Sequence, residues 1–351
     1  MVATPSRADP RAANFYSDTQ TRPSRAMLET VLTAAVGDEQ GMADPTTQAL
    51  EARMAALLAK EAAVFLPSGT MCNEIAIAVH CRPGDEVICG RNAHILGYET
   101  GGPAAISGVM THPLDAPRGL FTPEQVTAAI RPDSRYAPRS RLLSVEQSLN
   151  MEGGVVAPVA LLADCAAAAK AAGLATHMDG ARLLNAAVAS NLPAAEHAAP
   201  FDSVWVDLTK GLGCPVGAVL AGSSAFIDAA WRFKQRWGGS MRQSGVLAAM
   251  GLYALDHNVE RLAQDHARAA ALAAHLKTLP GVAGVLPGET NIVIWELAEH
   301  APAPDQVAAE AASHGALIGA VGPRRMRAVV HLDVDDAALE TLKQALTAVL
   351  G

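Results

Sequence analysis

Apolar, strand-like runs alternate with helix-patterned stretches through most of the first 223 residues, which predicts a mainly parallel sheet wound with helices. The chain has 351 residues, more than one ordinary core holds, and its last third reads as helices mixed with short strands. The predicted fold class is therefore α/β, with a smaller C-terminal α+β domain. The divisions read from the chain are an N-terminal arm over 1–13, a large domain over 14–255 and a small domain over 256–351. A third observation marks the centre of the large domain. In V-W-V-D-L-T-K-G-L-G-C-P-V-G, residues 204–217, an apolar strand stops at Thr209-Lys210 and a Gly-rich turn follows. Loops at strand ends are where open α/β sheets place their ligands.

Composition narrows the function. Half the residues are hydrophobic and the net charge is −8, with no long basic run, which argues against nucleic acid as a partner. Cys72, Cys81, Cys89, Cys165 and Cys214 are scattered, odd in number and free of any C-x-x-C spacing. Reduced thiols in a cytoplasmic protein fit this, and no metal site is expected. The opening M-V-A-T-P-S-R-A-D-P-R lacks the apolar core of a secretory signal, and no apolar run is long enough to span a membrane.

Taken in order, Ser24 is a candidate cap for a helix to about residue 35, and 36–43 is a loop. Asp44 caps and Pro45 opens a helix to about residue 60. A-V-F-L-P-S-G-T-M, 63–71, reads as strand, turn and helix start, with Ser68, Gly69 and Thr70 offering N–H groups to an anion. Strands are expected at 86–90, 109–114 and 141–147, and helices near 122–131 and 157–172. L-A-T-H-M-D-G-A-R, 174–182, delivers Asp179 at a strand end. Arg182 follows at a helix start, close enough to share a face with Asp179 or to form a local ion pair with it. A strand follows Lys210, then helices at 224–237 and from G-G-S-M-R-Q to about 258. The C-terminal part has helices at 260–278 and 335–350 and strands near 291–297, 316–321 and 327–333, with Pro302 and Pro304 marking a loop.

A lysine in a largely apolar site loses charge stabilisation and becomes a nucleophile toward carbonyls. Taken alone, Lys210 reads first as a solvated residue at a strand end, and His94 as a structural histidine. Together, the Gly69-Thr70 turn, His94, Asp179 and Lys210 each follow a candidate strand and would converge at the carboxyl edge of one sheet. An amine for an aldehyde, a helix N-terminus for a phosphate and a carboxylate for a pyridinium nitrogen have one economical explanation, pyridoxal 5'-phosphate.

At these residues the chain resembles the low-specificity L-threonine aldolases of the fold-type I pyridoxal-phosphate enzymes. The motifs S-D-T-x-T-R-P-S, D-P-T, A-V-F-L-P-S-G-T, H-M-D-G-A-R-L-L-N-A, L-T-K-G-L-G-C-P-V-G, G-G-S-M-R-Q-S-G and V-V-H-L-D-V carry the resemblance, from Ser17 onward. It implies that Lys210 joins the cofactor, Asp179 binds the pyridine nitrogen, and His94 stacks on the ring and assists acid/base work. It implies that Gly69 and Thr70, with Arg242 as a further ligand, hold the phosphate, and that Ser17, Arg182 and Arg327 clamp the substrate carboxylate. Arg suits the clamp because its planar fork grips a carboxylate at two points. The resemblance further implies cleavage of a β-hydroxy-α-amino acid to glycine and an aldehyde. It also implies a homo-oligomer, dimer or tetramer, in which the 37–44 loop and Arg242 reach a neighbour's cofactor.

Two departures fall on the substrate side. Where the family reads E-N-T-H-N, this chain has Glu146-Gln147-Ser148-Leu149-Asn150, and Leu149 exchanges no proton. Where the family carries a tyrosine in its early loop, this chain has Gly41. Altered recognition at Ser148 and Leu149 is expected, with weaker discrimination at the hydroxyl or a bulkier apolar β-substituent such as that of phenylserine. Another lyase reaction on the same scaffold (β-elimination or decarboxylation) and a non-enzymatic cofactor-binding role are the alternatives.

Overall fold

The computed structural model describes residues 13–351 and opens with a short strand, β1 (Ala13–Asn14). Residue 13 thus belongs to a strand, and the rest of the expected N-terminal arm lies outside the described residues. Seven strands follow: β2 (Ala62–Leu66), β3 (Glu86–Gly90), β4 (Met110–Leu114), β5 (Ser140–Glu146), β6 (Ala175–Gly180), β7 (Ser203–Asp207) and β8 (Ala218–Gly222). They form one sheet in the order β2-β8-β7-β6-β5-β3-β4. Every neighbouring pair is parallel except those of β8, which runs antiparallel to both β2 and β7. The loop carrying Lys210 explains the reversal. It folds straight back from β7 into β8, closed by Leu208 N donating to Gly217 O at 3.1 Å and Cys214 N to Leu208 O at 2.9 Å.

Alternation along the strands shows that helices cover both faces. Phe65, Val204, Val206 and Val219 belong to one apolar cluster with Leu50 and Met54, while Val64, Leu66, Trp205 and Leu220 belong to another with Ile75 and Phe226. Strands buried on both faces read as unbroken apolar runs, which is how they appear in the sequence.

The C-terminal part adds β9 (Val282–Val285), β10 (Ile292–Leu297), β11 (Ala316–Leu317), β12 (Gly319–Ala320) and β13 (Arg325–Val329). Four of these make an antiparallel sheet, β12-β13-β10-β9, while β1 pairs in parallel with β11. Phe15 therefore packs with Leu272, Trp295, Met326 and Leu342 in the C-terminal core, although it stands near the other end of the chain. Met326 and Ala328 face that core, so Arg327 between them points to the other side of the sheet.

Several sequence expectations are corrected here. The strand expected at 316–321 is two short strands, β11 and β12, in different sheets. That expected at 327–333 runs over Arg325–Val329 and stops before His331. Pro304 does not mark a loop but occupies the first turn of a helix, Pro304–Ser313, where its missing N–H costs nothing. The helix expected from G-G-S-M-R-Q begins only at Gly245. Ser24 and Asp44 cap helices as read, accepting from Met27 N and Thr47 N.

Candidate active site

The carboxyl ends of the parallel strands meet the face of β13 across a cavity of about 310 Å³. Ser17, Gly69, Thr70, His94, Asp179, Arg182, Lys210 and Arg327 all line it. The sheet brings them there because β2, β3, β6 and β7 end at the same edge and each hands over to a loop or helix that carries one of these residues.

Asp179 closes β6, opposite Glu146 of β5 and Trp205 of β7. Its Oδ2 accepts from Asn73 Nδ2 at 2.8 Å and its Oδ1 from the Ala181 N–H at 3.0 Å, so the buried carboxylate is held in one orientation. Asn73 is the hub of this wall. Its amide nitrogen also donates to Glu99 Oε1 at 2.7 Å, and its oxygen accepts from Trp205 Nε1 at 2.7 Å. Trp205 lies against the start of the helix Gly69–His80. A Cβ at Gly69 would sit 2.2 Å from the indole ring, so only glycine lets the helix end approach it. Ser68 caps that helix by accepting from Met71 N, which leaves the first N–H groups of the turn facing the cavity edge.

Lys210 stands at the floor, three residues beyond the end of β7. Its Nζ is 3.1 Å from Asp207 Oδ2 and lies over the Trp205 ring, 5.7 Å from its centroid. The expected apolar surrounding is therefore corrected: the amine is flanked by a carboxylate, which also accepts from the N–H and hydroxyl of Thr209 at 2.7 Å. His94 opens a short helix, His94–Gly97, and its Nδ1 is 2.7 Å from Glu99 Oε1. Burial pushes the imidazole down, but Glu99 and Asp179 outweigh it and hold the ring above its usual value. Glu146, whose carboxylate accepts from the backbone N–H groups of His94 and Asn150, is pushed up to about 7 by burial and by the charge of Asp179.

The opposite wall is built across the two sheets. Arg182 does not pair with Asp179, as the local reading allowed. Its Nε and one Nη donate to Asp18, both at 2.7 Å, in a fork with both partners buried. Burial pushes the Asp18 carboxyl up, yet Arg182, with Lys210 and Asn291, overrides it and holds it well below the usual range. Asn291 Nδ2 donates to the same carboxylate at 3.2 Å, which ties the wall to β10. Arg327 reaches in from β13 and donates to Asn150 Oδ1 at 3.1 Å, while its buried Nε has no partner among the described residues. Burial and then the neighbouring Arg182 charge lower the Arg327 guanidinium. Ser17 caps a turn, Asp18–Gln20, and its hydroxyl is 2.8 Å from that of Thr19.

Three candidates do not join the cavity. Arg242 is exposed and pairs with Asp38 of its own chain at 3.1 Å, because the 238–244 stretch packs along the 37–44 loop rather than toward β2. Ser148 is buried with an unpartnered hydroxyl. Leu149 faces Phe121, Leu161 and Leu162 in an adjoining apolar cavity instead. Conversely, Tyr98, Asn150, Trp205 and Asp207 line the main cavity without having been singled out. Asp207 carried a readable signal, standing three residues before Lys210 in the same strand-to-loop motif. Asn73 carried one too, at the start of the second turn of the helix begun by S-G-T.

The wall suits pyridoxal 5'-phosphate on its own features. A primary amine, a fixed carboxylate and a glycine-opened helix N-terminus face one space.

The sequence pattern of the beta-eliminating lyases matches residues 14–300. The low specificity L-threonine aldolase of Escherichia coli (strain K12) is 42% identical over 287 residues, covering 82% of this chain and 85% of that one. Low-specificity L-threonine aldolase 1 of Arabidopsis thaliana is 39% identical over 329 residues, covering 92% and 91%. Among solved structures, the Leishmania major threonine aldolase superposes with a TM-score of 0.81 at 23% identity, over 96% of this chain and 99% of that one. That match bears on the fold, a wound sheet with a smaller antiparallel sheet, which agrees with the fold class read from the sequence.

Proposed function

As the chain belongs to the beta-eliminating lyase family, we propose that it is a pyridoxal-phosphate-dependent lyase that cleaves L-threonine, L-allo-threonine or a related β-hydroxy-α-amino acid to glycine and an aldehyde. The observation that carries this reading is the convergence of Lys210, Asp179, His94, Arg327 and the Gly69-Thr70 helix start on one cavity.

The cofactor, when bound, supplies an aldehyde and a ring that accepts the electron pair released as the Cα–Cβ bond breaks. The chain's own residues do the rest. Lys210 offers the amine that tethers the cofactor, and Asp179, fixed by Asn73 and Ala181, keeps a proton on the ring nitrogen. Gly69 and Thr70 present N–H groups and a hydroxyl to the phosphate. Arg327, with Arg182 and Ser17, grips the substrate carboxylate and so sets which bond at Cα stands across the ring. His94 would lie beside the cofactor and exchange protons with the substrate, help typically worth roughly 10²–10⁴-fold.

The sequence departures at Leu149 and Gly41 are the basis for a preference for a bulkier, more apolar β-substituent than methyl, as in phenylserine. Leu149 bears on it only through Glu146, which borders both its own cavity and the main one. A homo-oligomer is the assembly that fits best, with Arg242 serving a neighbour's site; Leu28, Leu32, Val36 and Met42 are exposed around the same loop. No helix among the described residues is long and apolar enough to cross a membrane. The free, buried cysteines suit a cytoplasmic enzyme that acts on a small amino acid.

Product analysis tests the function. Glycine and aldehyde in equal amounts from threonine, allo-threonine or phenylserine, with a visible cofactor band, are expected. A keto acid with ammonia, or an amine with carbon dioxide, would assign β-elimination or decarboxylation instead. No turnover and no spectral response to any amino acid would leave only a binding role.

A further inference from the structure

Behind His94 lie two carboxyl groups that the reading above does not use. Glu74 stands on the helix Gly69–His80 and Glu99 follows the helix His94–Gly97, and the two are 3% and 6% exposed. Glu99 Oε1 accepts from His94 Nδ1 and from Asn73 Nδ2, both at 2.7 Å. Glu99 Oε2 and both oxygens of Glu74 have no partner among the described residues. Gly102 brings the two residues together: its N–H donates to the Glu99 backbone carbonyl at 2.8 Å and its Cα lies against the Glu74 carboxyl. The helix Gly102–Ser107 closes over them: a Cβ at Gly102 would stand 2.0 Å from Glu74 Oε1. Ionised carboxylates only accept, so two of them cannot satisfy each other. A single shared proton turns the same contact into a short O–H···O bond.

We propose that Glu74 and Glu99 form a proton-sharing carboxyl pair, and that Glu74, acting through Glu99, is a positioning residue that fixes which nitrogen of His94 carries its proton. The Glu74 hydroxyl donates to Glu99 Oε2, and Glu99 Oε1 accepts the His94 Nδ1–H. Nε2 is then the ring nitrogen left to a ligand in the cavity. The charges facing His94 come from four elements: Glu99, Asp179, Lys210 and Glu146, the last of which is itself pushed up to about 7. Glu146 holds the backbone N–H of the same residue. Only Glu99 bears on Glu74. Burial, then the Glu99 charge, pushes Glu74 up to about 8, so the pair keeps its proton at neutral pH and loses it in mild alkali.

This role rests on the cavity being the reaction site, and the experiment separates the two claims. The full chain, loaded with cofactor and carrying ¹⁵N-histidine, is titrated by NMR from about pH 6 to 10, alongside Glu74→Gln and Glu74→Leu. Wild-type His94 is expected to show a step near pH 8. Glu74→Gln, whose amide donates the same bond but cannot ionise, is expected to keep the neutral-pH ring signal and lose the step. Glu74→Leu is expected to shift the ring signal at pH 7 and to lower kcat/KM about tenfold, mostly in kcat, with Glu74→Gln recovering most of the loss. The ring's own titration and that of Glu146 near 7 should be common to all three proteins. A separate step near pH 8 that persists in Glu74→Gln, or a Glu74→Leu signal superimposable on wild type, overturns the pair. If aldol cleavage is absent while the ring behaves as stated, the reading of the cavity fails and the pair stands.

Discussion

The two walls of the cavity differ in how completely they are tied down. On the Lys210 wall, Asp179, Asn73, Trp205 and Glu99 hydrogen-bond to one another within one sheet and its helices, and Asp207 pairs with Lys210 and Thr209. The groups left open there, Glu99 Oε2 and the Glu74 carboxyl, lie behind His94 as the proposed proton-sharing pair. On the Arg327 wall, the groups come from the N-terminal turn, the large sheet and the C-terminal sheet, and a buried guanidinium nitrogen still lacks a partner. A wall finished before any ligand arrives suits a resident cofactor, whereas donors left open suit a transient carboxylate that completes them. The contrast matters energetically because an unpaired buried donor costs roughly 1–3 kcal/mol until it is met.

The largest effect should come from the finished wall. Lys210→Ala removes the only lysine that lines the cavity among the described residues. Turnover is expected to fall by roughly 10³-fold or more, with loss of the visible cofactor band. Near-wild-type turnover by Lys210→Ala would sink both the function and the contrast.

Next in size is the join between the walls. Asp18 holds Arg182 in a fork and Asn291 by a third hydrogen bond. Asp18→Ala strands a buried guanidinium, and breaking such a pair costs about 3–5 kcal/mol. Thermal unfolding should register this as a clear drop in Tm at pH 7. The pH dependence follows from the sign of the shift. The folded Asp18 carboxyl sits below its ordinary value of 3.8. Its stabilisation is therefore complete above that value and is lost only as pH falls beneath it. The Tm gap between wild type and Asp18→Ala should stay constant from neutral pH to about pH 5 and narrow in stronger acid. A gap that widens in acid would mean that the pair is not what joins the walls.

The open wall should respond in binding rather than in assembly. Arg327→Lys keeps a charge but loses the planar fork, and the expected loss in kcat/KM is about 10–10²-fold, carried mainly by KM. Cofactor absorbance and Tm should be nearly unchanged. If the cofactor is lost instead, Arg327 belongs to the finished wall.

The same division explains what the sequence could tell. Lys210, Asp179 and Gly69-Thr70 each sit at the end of an apolar strand, so periodicity and turn chemistry located them before any coordinate was known. The order of the seven strands and the reversal of β8 were not readable, because strand order is set by long-range pairing. Asn73, Glu99 and Asp18 escaped notice for a similar reason. Each is an ordinary polar residue whose importance comes from partners 26, 106 or 164 positions away along the chain. Arg182 was placed correctly at its helix start yet given the wrong partner, since sequence proximity favoured Asp179 and the fold supplied Asp18. In the C-terminal part, the β11–β12 break and the helix Pro304–Ser313 were missed because Pro304 punctuates a loop and opens a helix with the same residue.

The smallest effect expected is at Leu149, where the sequence departure pointed to altered recognition. Its side chain packs into the cavity beside the main one, among Phe121, Leu161 and Leu162, and the carboxylate of Glu146 borders both spaces. Leu149→His places a polar ring among apolar groups, which should cost about 1–3 kcal/mol in stability if the ring enters unpaired. Direct contact with a β-substituent is worth roughly 10–200-fold in discrimination per methylene. A residue acting only through the shared Glu146 wall should do far less. The ratio of kcat/KM for phenylserine to that for threonine is therefore expected to fall by about fivefold at most in Leu149→His. A fall of 10²-fold would show that the substrate reaches the adjoining cavity, and that the open wall extends past Glu146 to include it.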